Sequence, residues 1–64
     1  MITTKTSDRL HNRAMEFVAM SDALYEAGMK YEARLVSAAA ETVELAAIKI
    51  EERIEAYAIA SEAR

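Results

Sequence analysis

Three basic residues near the start of the chain, Lys5, Arg9 and Arg13, stand four apart, with His11 and Asn12 between the arginines. On a helix, the i,i+4 spacing puts Arg9 and Arg13 on one face, where two guanidinium groups can grip phosphate or carboxylate oxygens. Two such patches brought together in a dimer would form a surface for RNA or for an acidic protein. The competing assignment is structural. If the chain folds back on itself, Glu41 and Glu44 stand level with the patch and neutralise it, and surface ion pairs of that kind contribute little. The second assignment carries more weight.

His11 is the single histidine. It adjoins Leu10 and is expected at the rim of a helix contact, where it would titrate near neutral pH. A metal site needs several ligands at once, and no cysteine, second histidine or suitably spaced acid shares its face. Glu41, Glu44, Glu51, Glu52, Glu55 and Glu62 contain paired carboxylates of the type used in general acid and base catalysis, but their spacing describes the solvated exterior of a helix. Glu44 and Glu51, seven apart beside the core positions, can also select an association partner by flanking charge. No nucleophile with its base, phosphate-cradling glycine loop or metal motif occurs. Catalysis, a cofactor and a small-molecule substrate are therefore not expected.

The elements that must hold these side chains are helices. The chain has 64 residues, of which 53% are hydrophobic with alanine supplying a large share; aromatic residues are 6%, and there is one glycine and no proline. Such a composition favours helix almost throughout, because Ala, Leu, Met, Glu and Arg lose little freedom there. Thr6-Ser7-Asp8 offers an N-cap oxygen and an acid for a first turn. Gly28 is the one internal residue suited to the left-handed conformation that closes many helices. The expected fold is all-α, an antiparallel helical hairpin with a polar tail over 1–6 and a single domain over 7–64. The helices run over about 7–27 and 30–63, with the turn at Gly28. In the alternative, Gly28 is tolerated within one long helix at about 1 kcal/mol relative to alanine.

Seven-residue columns favour the hairpin. Along the first helix, Ser7, Ala14, Ser21 and Gly28 are all small, and the adjacent column of Leu10, Phe17, Leu24 and Tyr31 is all large. Along the second, Ala33, Ala40, Ala47, Ile54 and Ser61 lie beside Val36, Val43, Ile50 and Tyr57. Small residues repeated at one core position let two backbones approach, and the bulky neighbours fill the space beside them.

Length predicts that the hairpin needs a partner. The first helix spans about 30 Å and the second about 50 Å at 1.5 Å per residue, so the first runs out opposite Ile48 or Ile50. Ile54, Tyr57 and Ile59 then lack intrachain cover. Leu35, Leu45, Ile48 and Ile59 also lie away from the main stripe, and a helix with so wide an apolar surface expects several neighbours. With Ala40 and Ala47, these residues make up the expected association surface. Met15, Ala19 and Ala23, with Met20 at their margin, add an adaptable patch on the first helix. A chain this short, without cysteines to staple it, is stabilised most directly by oligomerisation. A homodimer forming a four-helix bundle is expected.

That architecture resembles the repressor-of-primer proteins, small hairpins that dimerise into alanine-lined four-helix bundles; the likeness covers helix count, chain length and the small-residue columns. It implies an RNA-binding dimer acting through Lys5, Arg9 and Arg13. The stretch from Tyr25 to Ala33 also resembles the inter-helix turn of tetratricopeptide repeats, although no repeat follows. Net charge is −3, which opposes sequence-independent nucleic-acid binding. No apolar run exceeds five residues, so neither a membrane span nor a signal peptide is predicted. A cytoplasmic setting follows as the expectation. The leading functional expectation is a small protein-interaction module, an adaptor, regulator or inhibitor of the size found among phage and mobile-element proteins, acting as a homo-oligomer or on a protein target. The RNA-binding dimer is the alternative.

Overall fold

Thr3 starts the first helix. Its backbone is extended, and its hydroxyl accepts a hydrogen bond from the Lys5 amide at 3.3 Å, satisfying one of the amides that a helix start leaves without a partner. The computed structural model describes residues 3–62 and shows two helices, α1 (Thr4–Glu26) and α2 (Lys30–Glu62), packed antiparallel. The cap expected at Ser7 is thus Thr3, and the helix takes in the latter half of the expected tail. Ser7 is instead fully buried, with its hydroxyl donating to the Thr4 carbonyl at 2.9 Å. Residues 1–2 of the tail and the end of the expected long helix beyond Glu62 lie outside the described residues.

Gly28 ends α1 with φ +85°. The Gly28 amide bonds to the Tyr25 carbonyl at 3.0 Å and the Met29 amide reaches back to the Leu24 carbonyl at 2.9 Å. These two bonds form a Schellman motif, which satisfies carbonyls that the helix end leaves free. A positive φ is incompatible with a continuous helix, so the chain reverses here. Lys30 then places its ammonium 5.6 Å from the centre of the Tyr25 ring, across the turn. Nothing lies within 4 Å of the position a Cβ would take on Gly28. Gly28→Ala should therefore cost only the left-handed backbone conformation, about 1–2 kcal/mol, in a urea titration, with Gly28→Asn losing less. Equal stability of the alanine variant would show that the turn does not depend on this conformation.

The seam between the helices is made of the small columns. Ala14, Ala33, Ala40, Ala47 and Ser7 are the buried residues. Ser21 pins the register, its hydroxyl donating across the seam to the Ala33 carbonyl at 2.8 Å. Stepping seven residues along both helices from that bond sets Ala14 level with Ala40 and Ser7 level with Ala47. Each layer is small against small, the condition for close backbone approach. The large columns flank the seam: Leu10, Phe17, Leu24, Val36, Val43 and Ile50 are all half-buried. The same register makes α1 run out level with Ile50. From Glu55 to Glu62 every residue of α2 is exposed, leaving an uncovered end of about two turns.

Candidate functional site

Among the described residues, the one place where charged groups converge across the seam is His11. Its Nδ1 lies 2.7 Å from Glu44 Oε1 and its Nε2 lies 2.8 Å from Glu51 Oε1, with the imidazole side chain 30% exposed. An ionised carboxylate can only accept a hydrogen bond, so two such partners require a proton on both ring nitrogens. The hydrogen bond from Glu44, then that from Glu51, hold the histidine pKa above its ordinary 6.5, assisted by the two negative charges and opposed by partial desolvation. The result is a charged strut from α1 to two successive turns of α2. Glu44 was expected beside Arg9 and Arg13; it serves His11 instead. The face of α1 alone does not hold this trio, because both acids come from the opposing helix. The signal was present in the columns, since His11 lies one position beyond the large column of α1, and Glu44 and Glu51 lie one position beyond that of α2.

The strut makes stability depend on pH in a definite direction. A group whose pKa is raised by folding contributes its full stabilisation below its unfolded value and loses it as pH rises through the folded value. Wild-type melting temperature is therefore expected to fall as pH rises from the ordinary histidine value of 6.5 through the raised titration of His11. His11→Gln should be nearly flat across that range in circular-dichroism melts, and an equal fall in this variant would place the dependence elsewhere.

The N-terminal basic group does not converge. Lys5, Arg9 and Arg13 are all exposed, and Arg13 turns to Glu16 of its own helix at 3.1 Å. A similar local pair joins Lys49 to Glu52 at 3.6 Å.

The expected association surface divides into four parts. Ala40 and Ala47 are buried inside the hairpin, so they belong to the intrachain seam and are corrected out of any free surface; a column of alanines facing a helix of the same chain cannot also face another molecule. Leu45 and Ile48 line an open groove of about 570 Å³ with Met15 and Val18, over a floor that includes Ala14 and Ala40. Ile54 is half-buried where cover ends, and Tyr57 and Ile59 stand exposed on the overhang. Leu35 is exposed as well. Met15 and Met20, paired in sequence as one patch, end on opposite sides of the seam, the first in the groove and the second beside the large column. Val18 was not singled out, although the column of His11, Val18 and Tyr25 carried its position.

The hairpin therefore has two long faces. In an antiparallel pair, equivalent columns of the two helices fall on the same side of the seam. The large columns share one face. On the other lie the groove and the His11 strut. The large-column face carries Phe17, Met20, Leu24, Val36, Val43 and Ile50, flanked by Ala39 and Ala46, with exposed Arg13 level with Val43 and half-buried Glu32 near the turn.

In comparisons with protein-family models, curated proteins and solved structures, nothing matches this chain. Among the described residues, no helix is long and apolar enough to cross a membrane.

Proposed function

We propose that the chain is a small protein-interaction module, an adaptor, regulator or inhibitor that presents a helical surface, and that it works as a homodimeric four-helix bundle joined through the large-column faces. One observation carries this reading: among the described residues, the hairpin buries no large side chain. Its buried residues are four alanines and a serine. A methyl group withdrawn from water contributes about 0.8 kcal/mol, against about 1.5–3 kcal/mol for a fully buried leucine or phenylalanine side chain. The residues able to supply the larger amount line one face, half-covered.

Shape supports the same reading. The radius of gyration is 15.6 Å, with extents of 56 × 16 × 13 Å, whereas a compact chain of this length has about 10.7 Å. The accessible surface of 5339 Å² exceeds the about 4,100 Å² of a compact protein of this mass by more than about 800 Å², the area each partner contributes to a standard interface. A second copy fits because the face is built from two matching columns, so a two-fold axis sets large residues of one hairpin against those of the other.

Sedimentation equilibrium over a range of concentrations, with circular-dichroism melts of the same samples, tests the reading. The expected species has twice the 7.1 kDa chain mass and a melting temperature that rises with concentration. A single-chain mass with a concentration-independent melt would overturn it.

A further inference from the structure

The groove on the opposite face remains open when the large-column faces are joined, and its chemistry specifies a different occupant. Met15 is 70% exposed, Val18 50%, Leu45 55% and Ile48 41%, so four large apolar side chains stand around one concavity that also exposes part of the alanine seam. Along α2 the lining runs from Ser37 to Ile48, about 17 Å at 1.5 Å per residue, which matches about three turns of helix. Both walls are helices whose backbone groups are bonded internally, so an extended segment would find no strand edge to join. A third helix laid between two antiparallel ones repeats the packing that the hairpin already uses.

The rim is acidic. Glu41 and Glu44 line the groove. By column position Asp8 and Asp22 stand on the α1 side with Met15 between them, and on the α2 side the column runs Arg34, Glu41, Ile48 and Glu55, so one cation near the turn stands among four acids. Asp8, Asp22, Glu41 and Glu55 have no ion-pair partner among the described residues. We infer that this groove binds a basic amphipathic helix of another protein, with an apolar stripe seated on Met15, Val18, Leu45 and Ile48 and flanking Lys or Arg side chains meeting the free carboxylates. Adaptable methionine on the wall suits such a guest. The acids give it charge selectivity, since like charge against the rim is repelled and opposite charge attracted.

The test uses a fluorescein-labelled 15-residue helical peptide with Leu at i, i+3, i+4 and i+7 positions and Lys elsewhere, titrated with the full chain and followed by anisotropy. Saturation at one peptide per hairpin is expected, with binding weakened about tenfold or more by Leu45→Ser and by Glu41→Lys. Leu35→Ser should leave it unchanged, and a peptide with Glu in place of Lys should fail to bind. Circular dichroism of each variant establishes that the fold persists, and sedimentation of the mixture reports whether the chain keeps its free mass. Absence of saturable binding, equal binding by the Glu peptide, or affinity indifferent to both Leu45→Ser and Glu41→Lys would overturn the inference. So would a peptide that binds by splitting the dimer, because it would then occupy the large-column face. The mass of the chain without peptide reads the homodimer separately, so the two proposals fail on different measurements.

Discussion

Ala47→Leu is expected to lower the melting temperature by about 4–20 °C, the equivalent of about 1–3 kcal/mol for overpacking a filled site in a domain of this size. Ala47 has no exposed surface and lies level with Ser7, which has none either. Three added carbon atoms at that layer can be accommodated only by forcing the helix backbones apart. That movement would loosen the Ser21 bond to Ala33 and lengthen the His11 contacts with Glu44 and Glu51, all of which depend on the same separation. Leucine and alanine have similar helix propensities, so the loss comes from packing. Ala38→Leu supplies the control: Ala38 is exposed, and this variant should stay within about 0.5 kcal/mol of wild type. Thermal melts at one fixed concentration check both, and wild-type melting of Ala47→Leu would show that the seam has room to spare.

The second large effect is expected at Val43, near the middle of the large-column face. If that face is covered by a second copy, Val43→Asp buries a carboxylate in the joined face, where the nearby Arg13 already pairs with Glu16, at a cost on the order of 3–5 kcal/mol for an uncompensated charge. Association should weaken by about two to three orders of magnitude. Sedimentation would then show the single-chain mass, and helicity would fall at low concentration because each hairpin loses the cover for its large residues. Val43→Ala distinguishes lost association from simple unfolding. It retains helix propensity and leaves the seam untouched, so it should keep the hairpin signal at high concentration while shifting the dimer equilibrium toward single chains. Leu45→Asp introduces the same charge on the groove face and should leave the dimer intact. A Val43→Asp variant that sediments like wild type would remove the large-column face as the site of pairing.

The repeat of Ala33, Ala40 and Ala47 against Ser7, Ala14 and Ser21 carried both the hairpin and its seam, because seven-residue periodicity is a property of each helix alone and survives whatever packs on it. Gly28 carried the reversal for a similarly local reason: no other residue of the chain adopts a positive φ as readily. The mismatch of helix lengths carried the uncovered end around Tyr57 and Ile59. The start of α1 was less legible. Thr3, Thr6 and Ser7 all offer capping oxygens, and the choice among them is made by where Ser7 must sit to complete the buried column. The position of Met15 with Leu45 rather than with Met20 is likewise a matter of helix rotation about the seam.

His11, Glu44 and Glu51 lie 33 and 40 residues apart in the chain, and only the register between α1 and α2 brings them within hydrogen-bonding distance. By itself the sequence determined that there would be two helices, where they would part, which column would be small and which end would be left uncovered. Those properties follow from backbone propensity and from periodicity within one helix. The tertiary structure decided that the small column is fully consumed inside the hairpin, that the remaining apolar residues divide into two opposed faces, and that the histidine is clasped between two carboxylates. These depend on the rotation and stagger of one helix against the other, set by the close contact of alanine and serine layers and the single hydroxyl bond that crosses them.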